Sequence, residues 1–274
     1  MIPAIAAFRA LHDSGCFVLP NPWDVGSAKL LAHAGGRALA TSSGGFAFTR
    51  GQPDGAGAVP LDAMLAHIRE IVAATPLPVN ADFQNGYADA PDAVARNVAA
   101  CIATGVAGLS IEDATGDAGA PIYERALAVE RIRAARAAID ASGSGVVLTA
   151  RCEAYLVNHP DAARLVPDRL AAYAEAGADC LFAPALPDPA SVAAVVRMVA
   201  PRPVNVLVAA PRPGFSVSEL AQLGVRRISV GSGLARVAWG AVGRAVAELL
   251  SAGTFGGFAQ AMPYAELTAL FTRS

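Results

Sequence analysis

Lysine is almost missing from this sequence. Arginine and lysine together number 21 in 274 residues, and Lys29 is the one lysine among them. It falls in a helix-like stretch from Asp24 to Ala34, away from any strand end. Schiff-base chemistry needs a lysine in the pocket, which disfavours an aldolase of that kind and a pyridoxal phosphate enzyme. Histidine is scarce as well. His12, His33 and His67 lie in helix-like stretches, and His159 alone follows a strand, so a histidine metal site or triad has little support. The four cysteines, Cys16, Cys101, Cys152 and Cys180, show no CxxC spacing, and no zinc or redox motif is expected. They read as buried free thiols, with Cys152 set apart by its place between Arg151 and Glu153. No apolar run reaches the roughly 18 residues of a transmembrane helix. Met1 to Ala10 lacks a charged stretch followed by a long apolar one, so a cytoplasmic location is expected. The net charge of −2 offers no broad basic surface, and neither nucleic acid nor a membrane is an expected partner.

What is present is a large apolar core. Hydrophobic residues make up 54% of the chain and charged residues 16%, which argues for a globular protein. The length suits one α/β domain over residues 1–274, with 251–274 as a C-terminal helical extension. A helix over Pro3 to Asp13 leads into the first apolar run, Cys16 to Pro20. Further runs follow at Arg37–Thr41, Val79–Asp82, Gly108–Glu112, Val146–Arg151, Cys180–Ala183, Val204–Val208 and Arg227–Val230. Helix-like segments alternate with them at a period of about thirty residues. The runs are continuously apolar, as buried parallel strands are. Eight such repeats predict a (β/α)8 TIM barrel with one additional helix, Phe258 to Phe271.

Three consecutive runs end on charge: Asp82, then Glu112 and Asp113, then Arg151 and Glu153. In a parallel barrel those ends converge on the catalytic face. Carboxylates around one arginine point to a hard metal ion and an anionic substrate. A salt-bridge layer closing the barrel is the alternative, and Asp113 and Glu153 read as support for Arg151. The run Ser42-Ser43-Gly44-Gly45 after the second strand is either an anion nest or a plain turn. Asn205 sits on the seventh strand. Ala114 to Pro121, rich in glycine and alanine, reads as a loop of the kind that covers barrel mouths.

Together, Asn21-Pro22-Trp23-Asp24, Thr41-Ser42-Ser43-Gly44, Pro53-Asp54-Gly55, Asp82 through Tyr87, Ile111-Glu112-Asp113 and Ala150-Arg151-Cys152-Glu153 resemble the isocitrate lyase/phosphoenolpyruvate mutase superfamily over nearly the whole chain. The resemblance implies a Mg²⁺-dependent enzyme, with Mn²⁺ as a substitute, acting on small 2-oxo or 2-hydroxy carboxylates. It implies Asp82 as direct metal ligand, with Asp54 and Glu112 holding the ion through water. Gln84 itself reads as either a partner of the metal's waters or a plain loop residue. It implies Ser42, Ser43 and Gly44 on the substrate carboxylate, Arg151 on substrate oxygens and Trp23 in the pocket wall. A homotetramer with the C-terminal helix exchanged between paired subunits is also implied.

Two departures from the family pattern bear on the chemistry. Gln84 stands where relatives carry a second aspartate. The stretch from Ala114 to Pro121 lacks the lid cysteine, histidine and lysine of the classical lyases and the lid residues of the mutases. A bound water, Tyr87 or Glu153 is then the candidate acid, and Arg151 and Glu112 the other catalytic groups. The expected activity is carbon–carbon cleavage of an isocitrate- or methylisocitrate-like acid through an enolate or aci-carboxylate. Oxaloacetate decarboxylation, phosphonopyruvate-type C–P chemistry and binding of a 2-oxo acid without catalysis are the alternatives.

Overall fold

The computed structural model describes residues 3–55 and 57–272. Met1 and Ile2 of the N-terminal stretch, and Arg273 and Ser274 at the end of the expected extension, lie outside the described residues.

Helix α1 (Pro3–Asp13) precedes strand β1 (Phe17–Leu19). Helix α2 (Val25–His33) begins at a reciprocal cap: Asp24 accepts from the Ser27 N–H, and Ser27 Oγ accepts from the Asp24 N–H. Strand β2 (Leu39–Ala40) runs into α3 (Ser43–Thr49), and α4 (Leu61–Ala73) leads to β3 (Val79–Asp82). Then α5 (Pro91–Ile102), β4 (Gly108–Glu112), α6 (Arg125–Ser142), β5 (Val147–Arg151) and α7 (Ala162–Glu175) alternate. The series closes with β6 (Cys180–Phe182), α8 (Pro189–Val199), β7 (Val204–Leu207), α9 (Val217–Gln222), β8 (Arg227–Ser229) and α10 (Gly233–Ala252). The eight parallel strands pair in the order β1-β8-β7-β6-β5-β4-β3-β2. This is the (β/α)8 barrel that the apolar periodicity predicts.

Strands β1 and β2 meet with little ladder between them. The Ala40 N–H donates to Pro20 O at 3.1 Å. The side chain of Asn21 completes the join: its Nδ2 donates to Thr41 O at 2.9 Å, and its Oδ1 accepts from the Val230 and Gly231 N–H groups at 2.9 Å each.

Around the ring, apolar strand faces and helix stripes form one continuous core that includes Ile5, Phe8, Met64, Ile68, Phe83, Leu109, Leu148, Leu170 and Leu181. The barrel interior is less apolar than that. Asn80, Ser110, Thr149, Asn205, Arg227 and Ser229 are all buried. Phe8 packs below them where β4 carries Gly108. A side chain there would come within 2.6 Å of Asn80 Oδ1 and of Phe8 Cε1.

Two segments differ from the sequence expectation. Ser42 to Gly45 opens a helix rather than a nest or turn, because Ser42 Oγ accepts from the Gly45 N–H at 3.0 Å and caps α3. The last helical piece divides into a 3₁₀ turn, Gly256–Gln260, and α11 (Tyr264–Thr272), with Pro263 between them. Helix α11 returns to α2, burying Leu270, and Phe271 lies 3.6 Å from where a Cβ on Gly26 would sit. Among the described residues no helix is long and apolar enough to cross a membrane.

Two consequences are measurable. Gly108→Ala overpacks the barrel floor and should lower unfolding stability by about 1–3 kcal/mol in urea titrations. His67 stacks on Phe46 with ring centroids 3.8 Å apart, and burial lowers its pKa from 6.5 to about 4. Below pH 6.5 the unfolded chain then takes up a proton that the folded chain refuses until about pH 4. Stability therefore falls on acidification through that window. His67→Phe should remove this component and gain on the wild type by up to about 1.4 kcal/mol per pH unit. Parallel pH curves for the two proteins would disprove the neutral, buried state of His67.

Candidate active site

The C-terminal ends of β3, β4 and β5 bring Asp82, Glu112 and Arg151 together. The ladder pairs Glu112 with Arg151 and Asp82 with Ser110, so the three end residues arrive side by side. Arg151 Nη1 lies 3.3 Å from Glu112 Oε2 and 3.5 Å from Asp82 Oδ1. Its Nη2 donates to Glu153 Oε2 at 3.1 Å, and its Nε forms a second, shorter bond to the same carboxylate. Burial opposes the charge on Arg151, but Glu153, Glu112 and Asp82 more than offset it and hold its pKa above the ordinary arginine value. Burial raises the Glu112 carboxyl well above its usual range. Arg151 opposes that shift, while Glu153, Asp82 and Asp113 add to it.

Asp82 is fixed from a second side. Its Oδ2 accepts from both the N–H and the hydroxyl of Ser43 at 2.9 Å, and its own N–H donates to Thr41 Oγ1 at 2.9 Å. The first turn of α3 is thus spent partly on a protein carboxylate. Asp54 reaches the same place from the loop after α3. Its carboxylate lies against Gly44, where a Cβ would stand 2.5 Å from Oδ2. Partial burial raises the Asp54 pKa, and the nearby Asp82 raises it further.

These groups line one wall of a cavity of about 260 Å³ at the barrel mouth. Ser42, Ser43, Gly44, Asp54, Asp82, Arg151 and Asn205 all border it. Glu112 and Glu153 stand behind Arg151 instead. Trp23 packs its Cβ against Gly45 and does not border the cavity. Gln84 is buried at a φ of 44°, with Nε2 3.4 Å from Gly55 O and Oε1 without a partner among the described residues. Tyr87 is held at a φ of 57°, and its buried hydroxyl likewise has no partner. Burial, with Asp82 and Glu112 nearby, pushes the Tyr87 pKa upward.

The Asp113 N–H donates to Arg151 O at 3.1 Å, but its carboxylate pairs with another arginine. Its Oδ2 accepts from Arg169 Nη1 at 3.0 Å and from the Tyr173 hydroxyl at 2.6 Å, while Oδ1 accepts from the Glu153 N–H at 2.7 Å. The carboxylate thus supports the Arg151 side chain through Glu153. The Cys152 thiol is buried, and its pKa is raised first by burial and then by Asp113, so it is no ready nucleophile. The segment from Ala114 to Pro121 closes on itself through Thr115 Oγ1 to Ala120 O at 2.6 Å and Thr115 N–H to Pro121 O at 3.1 Å. None of its residues borders the cavity.

Sequence reasoning missed Asn80, Ser110, Arg227, Ser229 and Arg236, which also border the cavity. The available signal was a polar residue inside an otherwise apolar strand. The absence of strand alternation hid which way each one points.

A divalent ion fits the donor set. Asp54, Asp82 and Glu112 offer only oxygen, and Asp82 raises the pKa of both its neighbours, a repulsion that a cation relieves. Among the described residues no three acidic, histidine or cysteine side chains form a ready cage.

Comparison with known proteins places this geometry. The family model for phosphoenolpyruvate phosphomutase matches residues 8–250. An uncharacterized protein of Mycobacterium tuberculosis is 37% identical over 230 residues, covering 82% of each chain. The 2-methylisocitrate lyase of Salmonella typhimurium is 35% identical over 189 residues, 66% of this chain and 62% of that one. Among solved structures, a protein assigned as a lyase or mutase from Burkholderia cenocepacia J2315 is 49% identical with a TM-score of 0.93, covering 98% of this chain and 95% of that one. A 2,3-dimethylmalate lyase is 29% identical with a TM-score of 0.87, covering 98% and 95%. An oxaloacetate acetylhydrolase bound to oxalate is 26% identical with a TM-score of 0.88, covering 97% and 93%. With acids and an arginine at the ends of β3 to β5 and a match over most of its length, the chain belongs to the phosphoenolpyruvate phosphomutase family, within the superfamily of lyases and mutases that includes isocitrate lyase, and it is an enzyme.

Proposed function

We propose that this enzyme is a Mg²⁺-dependent carbon–carbon lyase for a small 2-hydroxy or 2-oxo di- or tricarboxylate. One observation carries the reading: Arg151 and Asp82 border the same small cavity as Ser42–Gly44, so a cation-binding wall and anion-binding groups face one ligand. Asp82 would hold the ion directly, and Asp54 and Glu112 would hold it through water. When bound, the ion supplies Lewis-acid charge to oxygens of a 2-oxo or 2-hydroxy acid.

The chain's own residues do the rest. Ser43 fixes the Asp82 carboxylate by two hydrogen bonds. Glu153 grips Arg151 along one edge with both carboxylate oxygens, leaving Nη1 toward Asp82, Glu112 and the cavity. Arg151 then faces developing enolate charge with a rigid donor that needs no reorganisation. The Ser42 hydroxyl, whose oxygen caps α3 but whose proton stays available, and the Gly44 N–H orient the substrate carboxylate. Manganese is the expected substitute for magnesium.

The cavity wall carries no cysteine or histidine. That favours, as a second reading, oxaloacetate decarboxylation, which needs an enolate but no lid thiol. The hydrolase and the dimethylmalate lyase among the structural relatives, both named for small acids, support this size of substrate. Subunit exchange is part of the same proposal. Trp239, Val242, Leu250, Phe255, Phe258 and Tyr264 leave an exposed apolar surface along α10 and the turn beyond it, enough to seat a neighbouring subunit. The enzyme would act in the cytoplasm.

The first test is release of pyruvate, glyoxylate or succinate with Mg²⁺ from isocitrate, 2-methylisocitrate, 2,3-dimethylmalate and oxaloacetate. Turnover should need the metal and fall about a hundredfold or more in Asp82→Ala. Turnover of none of the four acids by folded protein sinks the lyase reading. Light scattering after gel filtration should give a tetramer, and Leu250→Asp should shift it to a smaller species. A monomeric wild type refutes the exchange.

A further inference from the structure

Inside the barrel sits a buried cation that no carboxylate answers. Arg227 opens β8 and is only 2% exposed. Its Nε donates to Asn205 Oδ1 at 2.9 Å, its Nη2 donates to Thr149 Oγ1 at 3.0 Å, and its Nη1 lies 3.4 Å from His12 Nε2. All three partners are neutral. His12 Nδ1 lies 2.7 Å from Phe8 O and donates to it, which leaves the Nε2 lone pair for Arg227. Arginine cannot shed its proton inside a protein, so the charge persists.

A lone buried charge is costly. Arg151 has three carboxylates and Arg169 has Asp113. Among the described residues Arg131 also makes no ion pair, but its guanidinium carbon lies 3.8 Å from the Tyr123 ring centroid, and it faces a small void shared with Glu112 and Asp113, not the main cavity. Arg227 borders the main cavity instead, beside Asn205 and Ser229. Asn80 Oδ1, on the same floor, is a buried acceptor without a partner among the described residues. Arg236, in the first turn of α10, brings a second guanidinium to the cavity, and among the described residues it forms no ion pair. The cavity is therefore bipolar. Asp54 and Asp82 hold one wall, on the β2–β3 side, and Arg227 and Arg236 hold the other, on β8 and α10.

We propose that Arg227 is a specificity-determining residue that takes the distal carboxylate of a small dicarboxylate, whose 2-oxo or 2-hydroxy acid end lies at Asp82 and Ser42–Gly44. This rests on the proposed function and names which acids the site prefers. A guanidinium held in place by Asn205 and Thr149 presents fixed donors, and the ligand supplies the missing negative charge. An acid of the same shape without the second carboxylate leaves that charge unanswered and binds weakly.

Malate and lactate provide the test, because they differ by one distal carboxylate. Their binding to the full chain with Mg²⁺ can be measured by titration calorimetry for both enantiomers. The wild type should bind one malate enantiomer about tenfold to a hundredfold more tightly than the matching lactate. Arg227→Met should collapse that ratio to within about threefold and leave lactate binding unchanged. Asn205→Asp provides a variant of nearly the same size. It places a carboxylate against Arg227 and should abolish the preference in the same way, with thermal unfolding confirming that the fold persists. Equal binding of malate and lactate by the wild type overturns the assignment, as does a ratio that survives in folded Asn205→Asp. Tighter binding of phosphonopyruvate than of malate, lost in both variants, also overturns it by making the distal group a phosphonate. If the wild type binds neither malate, lactate nor oxaloacetate, the proposed function fails and this assignment falls with it.

Discussion

Everything at the mouth of this barrel depends on one guanidinium. Arg151 lies among Asp82, Glu112 and Glu153 and links the ends of three strands that the backbone ladder has already set side by side. Four charged groups in so little space are stable only as a set. Loss of the arginine would leave three closely packed acids, Glu153 among them buried, repelling one another, and loss of one acid would loosen the grip on the arginine. The arrangement is also layered. Glu153 holds Arg151, Asp113 holds the Glu153 backbone, and Arg169 and Tyr173 hold Asp113. Arg169 also donates to Tyr123 O at 2.7 Å, and Asn85 in the turn after β3 donates to the Tyr123 hydroxyl at 3.1 Å. The acid-bearing turns are thus braced from outside the barrel by helix α7 and by Tyr123 in the segment before α6. Rigid support of that kind keeps a charged site in one geometry before any substrate arrives.

The interior pays for this chemistry in apolar packing. A barrel of this type is usually filled by layers of branched aliphatic residues. Here asparagine, serine, threonine and arginine occupy much of the inside, and the apolar core lies mainly between strands and helices. Their mutual hydrogen bonds limit the cost, as in the chain from Thr149 through Arg227 and Asn205 to Ser229.

Much of this was legible in the sequence, for physical reasons. Continuous apolar runs ending on Asp82, Glu112 and Arg151 identify parallel strands, and the closure of a barrel brings such ends together whatever the loops do. The glycine-rich run after β2 was harder. Two glycines suggest a turn, yet Ser42 capping the Gly45 N–H was enough to start α3 there. Trp23 looked like a pocket residue and instead packs on Gly45, because its direction depends on the geometry of the α2 cap. Arg227 stayed hidden behind Arg226. In a strand without alternation, two adjacent arginines give no sign of which one enters the barrel. Asp54, on a long loop, reaches the site only because Gly44 has no side chain to keep it away.

Asn21 changes how the ring should be pictured. At the seam between β1 and β2 its amide does the work of a missing ladder, donating to one strand end and accepting from another. Only a neutral amide has both the donor and the acceptors for that task; an acid of the same shape would repel Thr41 O. The barrel is therefore fastened by a latch rather than woven shut. Because Thr41 adjoins Ser42 and Val230 follows β8, the latch sets the spacing between the wall that carries Asp82 and the wall that carries Arg227. The distance between the two charged poles of the cavity is held by a residue that carries no charge itself.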